Sequence, residues 1–284
     1  MKIVKKRKGK QDYYYLKLSY RKNGKVTNKE KYLGKTIPKN IEELKKELRK
    51  ETEQELYHKL ERIKEHFWKE WTKLPPSIKE KELEQISIAF TYNTNAIEGS
   101  TITLPETREI LEDHIAPKKL LKEIKETENH SKVFLEMLNQ KTKITNELLL
   151  SWHNKIFSET KPDIAGKYRE YRVRVAGYKA PDWQDIPKLI QQFLHYLSTT
   201  KTNPVELAAK THYQFEKIHP FGDGNGRIGR LLMNYLLWHN QYPMLIIEYK
   251  KRKSYYNALT KDEEKFTQYF LKTYTNVHKK RLPK

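Results

Sequence analysis

A change in apolar periodicity near residue 41 limits the possible folds of this chain more than any other feature. Before it, residues 11–34 (QDYYYLKLSYRKNGKVTNKEKYLG) run as Tyr-rich alternating stretches around Asn23-Gly24. Asn-Gly suits a turn whose two central residues need positive φ, so the segment predicts an antiparallel hairpin. Tyr13, Tyr15, Leu16, Tyr20 and Tyr32 are its packing side chains, and such a small sheet is not stable alone. After residue 41, Ile41, Leu44, Leu48, Leu56, Leu60, Ile63, Phe67 and Trp71 fall on one helical stripe, a long amphipathic helix that Pro75-Pro76 ends. Helical patterns continue over 78–96, 105–114, 119–139, 145–157, 186–200, 204–218, 225–239 and 253–280. Pro105 fits a first helical turn, followed by Glu106. One interruption, GKYREYRVRVAGYKAPDW at 166–183, alternates through Tyr171, Val173 and Val175 and reads as a short hairpin. The predicted fold class is therefore mainly α, with a short β-hairpin, preceded by a long helix and a small N-terminal antiparallel sheet. The predicted division is a basic β-rich element over 1–38, a helical linker region over 39–89 and a helical domain over 90–284.

Composition excludes several classes of function. The 284 residues contain no Cys, which removes disulfide scaffolds, thiol nucleophiles and Cys-ligated zinc. A mean hydropathy of -0.92, with no apolar run near the length of a spanning helix, predicts no membrane insertion. The start, MKIVKKRKGK, lacks the apolar region of a secretory signal, so a cytoplasmic location is expected. Lys plus Arg number 57 against 36 Asp plus Glu, a net charge of +21. Residues 1–36 hold 13 basic and 2 acidic side chains, whereas residues 37–270 hold 39 and 34. Basic residues interleaved with Tyr on a predicted sheet make nucleic acid a candidate partner of residues 1–36. A solvated Lys-rich face is the alternative.

The chemistry concentrates in HPFGDGNGRIGR, His219 to Arg230, between two helical patterns. His219 precedes Pro220 and must leave helical geometry. Gly222, Gly224 and Gly226 permit a tight loop, and Ile228, Leu231, Leu232 and Tyr235 resume a helix. Such a loop leaves free backbone N–H groups at a helix N-terminus, an anion site suited to phosphate. Arg227 and Arg230, three residues apart, suit further phosphates. Asp223 suits Mg²⁺ shared with a nucleotide, and His219 is the loop group able to take a proton near neutral pH. GNGRIG also spells GxGxxG, but that fingerprint requires a preceding strand, and here a helical pattern precedes it. His212, seven residues before His219, reads as a satisfied core or surface histidine and not as a metal ligand.

The loop matches HPFx(D/E)GNGRxxR, the signature of Fic-domain proteins, at every specified position. TNAIEGSTITL (94–104) resembles the inhibitory-helix motif of one class of the family. AGKYREYRVRVAGYKAP resembles the family's target-docking flap, and RLLMNYLLWHNQYPMLII with RKSYYNAL its downstream adenine-side segments. The resemblance covers about 90–280 and is nearest to the metazoan endoplasmic-reticulum branch of the family, without counterparts here of its TPR repeats and membrane anchor. It implies transfer of AMP from ATP to a Ser, Thr or Tyr hydroxyl of a protein, the chain itself included, with Mg²⁺ as cofactor and a homodimer as an expected state. It further implies His219 as general base, Asp223 as the Mg²⁺ ligand, and Gly224, Asn225 and Gly226 as an anion hole. Arg227 and Arg230 would hold the β- and γ-phosphates, Tyr255 and Tyr256 would lie near the adenine, and Val173, Arg174 and Val175 would form the flap. Glu98 would pair with Arg230 and inhibit transfer. The alternatives are removal of AMP from modified proteins at the same site, and a Fic fold with added nucleic-acid binding through the basic N-terminal sheet.

Overall fold

The N-terminal alternation folds into three strands: β1 (Lys2–Lys8), β2 (Gln11–Lys22) and β3 (Lys25–Gly34), antiparallel and in that order. They are seen in a computed structural model that describes residues 1–22, 25–175 and 178–282, with backbone alone at 20–22, 25–27, 46 and 49–53. The expected small antiparallel sheet is present, and it extends beyond the alternating stretch over 11–34 to include β1. Its sequence, KIVKKRK, has too few apolar residues to show alternation, and pairing with β2 from Lys2↔Lys17 to Lys8↔Gln11 makes it a strand. The Asn23-Gly24 turn and the Tyr20 side chain lie outside the described residues.

The chain forms two compact units, Met1–Glu61 and Arg62–Lys284. In the first, Leu16 is fully buried, and Lys31 on β3 pairs with Glu47 at 2.6 Å, which joins the sheet to helix α1 (Ile41–Lys73).

The second unit is helical. It continues with α2 (Pro76–Ile97), α3 (Leu104–Leu111), α4 (Leu121–Asn139), α5 (Asn146–Phe157), the hairpin β4 (Arg174–Val175) and β5 (Tyr178–Lys179), α6 (Ile186–Thr199), α7 (Pro204–Ile218), α8 (Asn225–His239), α9 (Arg252–Leu259) and α10 (Glu263–Val277). Thr103 and Glu106 form a reciprocal capping box that starts α3 before Pro105. One expectation is corrected. The single helix over 253–280 is two, because Asp262 accepts a hydrogen bond from the Lys265 N–H at 2.9 Å and caps a new start. The short hairpin expected within 166–183 is present, with two residues per strand, and the chain before it is held by a buried arginine described below.

Helices α7 and α8 form the centre. Phe215, Phe221, Ile228, Leu231 and Leu232 are fully buried and pack in one core with Phe90 of α2, Phe134 of α4 and Phe157 of α5. Burying each such side chain contributes roughly 1.5–3 kcal/mol. Phe221 and Ile228 flank the glycine-rich loop on either side, so the same core that stabilises the unit fixes that loop. Among the described residues no helix is long and apolar enough to cross a membrane.

Candidate active site

The loop between α7 and α8 is held at several points. His219 ends α7 in the left-handed region, φ 50 and ψ 59, which costs a non-glycine residue about 1–2 kcal/mol. Arg169, 3% exposed, offsets that cost by donating from Nε to the His219 carbonyl at 2.8 Å. Its other nitrogens donate to the carbonyls of Tyr171 and Pro181, both at 2.7 Å. One guanidinium therefore ties the His219 backbone to both sides of the β4–β5 hairpin. The Asn225 side chain accepts from the Phe221 N–H at 2.8 Å and donates to the Phe221 carbonyl at 2.9 Å. It is thus committed to closing the loop, and only its backbone is left for an anion. His153 accepts from the Gly166 N–H at Nδ1 and so carries its hydrogen on Nε2, which donates to the Asp223 carbonyl, both at 3.0 Å. Burial lowers its pKa to about 4 and keeps it neutral.

Two glycines let neighbouring side chains approach the loop closely. Gly224 has φ 77, and a Cβ there would meet the Phe157 ring at 2.4 Å. A Cβ on Gly226 would meet Glu98 Oε1 at 2.1 Å, so the Glu98 carboxylate sits directly over the first turn of α8. No side-chain cap covers the start of that helix, which leaves its N–H groups facing the site.

Both loop arginines point at carboxylates from other helices. Arg227, buried against the Phe157 ring at 4.4 Å, pairs with Glu126 of α4 and lies 3.5 Å from Asp223 Oδ2. Lys161 joins the same group, 2.7 Å from Glu126 and 2.8 Å from Asp223. Arg230, 1% exposed, donates to Glu98 at 2.5 Å and to the Thr94 hydroxyl at 2.7 Å, and further to the Thr94 carbonyl at 3.2 Å and the Tyr255 hydroxyl at 3.3 Å. Burial works against its charge, but Glu98, Tyr255 and Glu216 around it together outweigh burial and raise its pKa. Glu98, Asp223, Arg227, Glu126 and Lys161 line one cavity of about 300 Å³.

His219 is buried enough that its pKa is lowered, so the ring is neutral at physiological pH and able to accept a proton. Its Nδ1 lies 3.9 Å from Glu216, whose own pKa burial and the Glu98 charge push up to about 7. Burial alone would raise the Asp223 pKa, yet Arg227 and Lys161 bring it down to about 2. An ionised carboxylate at a cavity wall, 43% exposed, fits Mg²⁺, which takes one or two protein carboxylates and completes its shell with water and substrate phosphate. Lys161 is the rival cation on the same oxygen.

The remaining predicted residues are placed less uniformly. Tyr255 is fully buried, its hydroxyl bridging Arg230 and His212 Nε2 at 2.7 Å, where it supports the guanidinium from behind. Tyr256 keeps 40% of its surface exposed and donates to the Ile97 carbonyl at 3.0 Å. Val173 accepts from the Ala180 N–H at 3.3 Å, and Arg174 and Val175 form β4, whose outer edge is unpaired among the described residues of its two-stranded sheet. Glu126, Lys161, Arg169, Thr94, His153 and Glu216 were not singled out from sequence. Two of them carried a positional signal: Thr94 opens the TNAIEG motif four residues before Glu98, and Glu216 lies one turn before His219 on the same helix.

Residues 143–237 match the profile of the Fic/DOC family. The protein adenylyltransferase Fic of Drosophila grimshawi is 36% identical over 180 residues, 59% of this chain and 36% of that protein. The corresponding Drosophila virilis protein matches at the same identity and coverage. The chain spans little more than a third of the length of these curated relatives. Fic-1 from C. elegans superposes with a TM-score of 0.69 at 26% identity, over 86% of this chain and 77% of that one. A Fic domain containing signaling protein from Bacteroides thetaiotaomicron gives 0.66 at 26% identity, over 78% and 97%.

Proposed function

Because this chain belongs to the Fic/DOC family, we propose that it is a protein adenylyltransferase that moves AMP from ATP to a Ser, Thr or Tyr hydroxyl of a protein, itself included. The observation that carries this reading is the convergence of an uncapped helix N-terminus, Arg227, Arg230 and a neutral His219 on one loop. His219 takes the proton of the incoming hydroxyl. The hydroxyl oxygen bonds to the α-phosphorus, the bond to the bridging oxygen breaks, and pyrophosphate leaves. The N–H groups of Gly224, Asn225 and Gly226 stabilise charge on the α-phosphate, and Arg227 and Arg230 neutralise the departing phosphates. Mg²⁺ held by Asp223 supplies further neutralisation when bound. An extended target segment pairs with the open edge around Val173, Arg174 and Val175, which presents its hydroxyl by main-chain bonding.

Glu98 regulates the site by occupying the Arg230 guanidinium that the γ-phosphate needs. Its carboxylate also faces the phosphate cradle, where it suits positioning of water for the reverse reaction, removal of AMP. Incubation with α-labelled ATP and Mg²⁺, followed by mass spectrometry, tests AMP transfer in wild type, Glu98→Gly and His219→Ala. An AMP adduct that grows in Glu98→Gly and is missing in His219→Ala is expected. Absence of an adduct from all three proteins and from added protein targets rejects the proposal.

A further inference from the structure

An antiparallel sheet with one face covered normally turns a polar face to water. Here one face buries Leu16 completely, while the other carries three tyrosines. The register places Tyr15 opposite both Val4 and Tyr32, and Lys6 opposite Tyr13, so all belong to that open face. The rings cluster, Tyr15 and Tyr32 at 5.3 Å and Tyr13 and Tyr32 at 6.2 Å between centroids. Tyr32 remains 54% exposed.

Cations surround the rings. Lys2, Lys6, Lys8 and Lys17 share the face by register, and Lys6 Nζ lies 4.6 Å from the centre of the Tyr15 ring. Among the described side chains of that face the acid is Glu30, which takes Lys6 at 2.5 Å and Lys17 at 3.6 Å. Lys2 and Lys8 are exposed. Asp12 belongs to the opposite face, where it pairs with Lys5 at 2.7 Å.

We propose that this open face binds single-stranded nucleic acid, unpaired bases stacking on Tyr32 and its neighbours while Lys2 and Lys8 contact phosphates. The charge argues for a polyanion, with 13 basic and 2 acidic residues in the first 36. The exposed aromatic ring argues for a polyanion with accessible base planes, which a duplex buries and a lipid headgroup lacks. The face lies wholly within residues 1–34 and needs no part of the proposed transferase chemistry.

The test is fluorescence anisotropy of the full chain with short labelled oligo(dT) and oligo(U), the matching duplex, and anionic phosphatidylserine vesicles. Binding of either single strand in preference to duplex and vesicles is expected, and it should weaken roughly tenfold between about 50 and 200 mM salt, as a few phosphate contacts require. Tyr32→Ala should weaken it at least about fivefold, as loss of one stacked base does, and Tyr32→Phe should restore it. Lys2→Glu with Lys8→Glu should weaken binding and flatten the salt dependence. Circular dichroism of each variant checks that the sheet is intact. No single-strand binding at low salt, equal or tighter binding of duplex or vesicles, or an unchanged affinity in folded Tyr32→Ala overturns the proposal.

Discussion

Replacing Glu98 by Gly should raise AMP transfer and lower stability in the same protein. Arg230 is 1% exposed and its carboxylate partner is 25% exposed. Breaking a fully buried pair from one side costs about 3–5 kcal/mol, and the partial exposure of Glu98 reduces that to roughly 2–3 kcal/mol. A γ-phosphate that must displace Glu98 meets a penalty of this size. Its removal should speed transfer about 30- to 150-fold, at 1.36 kcal/mol per decade. The same change leaves a buried guanidinium without its counter-charge, so the melting temperature without nucleotide should fall by roughly 4–10 °C. Relief of a carboxylate at the C-terminal end of α2 recovers only about 0.3–1 kcal/mol of this. ATP should restore the lost stability, giving the variant a larger thermal shift with ATP than wild type. The assays are initial rates of label transfer from α-labelled ATP, and thermal melts with and without ATP. Glu98→Gln separates charge from shape and should fall between wild type and Glu98→Gly in both. An unchanged rate in Glu98→Gly, or a rate gain with no loss of stability without ATP, would show that the ion pair does not gate the site.

Other outcomes follow from the surrounding contacts. His219→Ala should lower transfer about 10²- to 10⁴-fold, the usual contribution of a general base, with an unchanged melting curve. Because burial lowers the His219 pKa, its neutral form persists as pH falls through 6.5, so the acid limb of the rate profile should lie below the ordinary histidine range. An acid limb at or above 6.5 in a Glu98→Gly background would contradict this. Lys161→Met removes the ammonium 2.8 Å from Asp223 and should lower the Mg²⁺ concentration needed for half-maximal rate; a higher requirement would mean that Lys161 does not compete for that oxygen. Arg169→Met removes three bonds to carbonyls, each of a kind contributing about 1.5–3 kcal/mol. It should reduce transfer to a protein target far more than it reduces ATP binding measured by calorimetry.

The parts of this molecule legible in the sequence are those fixed by local backbone chemistry. A proline after His219 and glycines at 222, 224 and 226 state a loop and a helix start wherever they occur, and the structure places α8 from Asn225 as that pattern requires. What sequence does not reveal is the set of counter-charges. Glu126 and Lys161 lie on α4 and after α5, remote in the chain from Arg227, and a Glu in a charged helix looks like surface until the fold buries it to 8% exposure. Arg169 was likewise hidden in a stretch that read as strand. The two carboxylates opposite the loop arginines differ in how firmly they are held, and on the proposed reading that difference separates their roles. Glu126 lies within α4 and is fixed further by Lys161 at 2.7 Å and the Thr160 hydroxyl at 3.1 Å. Glu98 is the C-cap that follows α2, with Gly99 after it at φ 94, a position where backbone rotation needs no helix to unwind. A phosphate arriving at the cradle must displace one carboxylate to reach an arginine, and the one at a helix end beside a glycine leaves at the lower cost. The γ-phosphate is therefore expected to take Arg230 from Glu98, while Arg227 stays paired with Glu126 as it neutralises the departing phosphates.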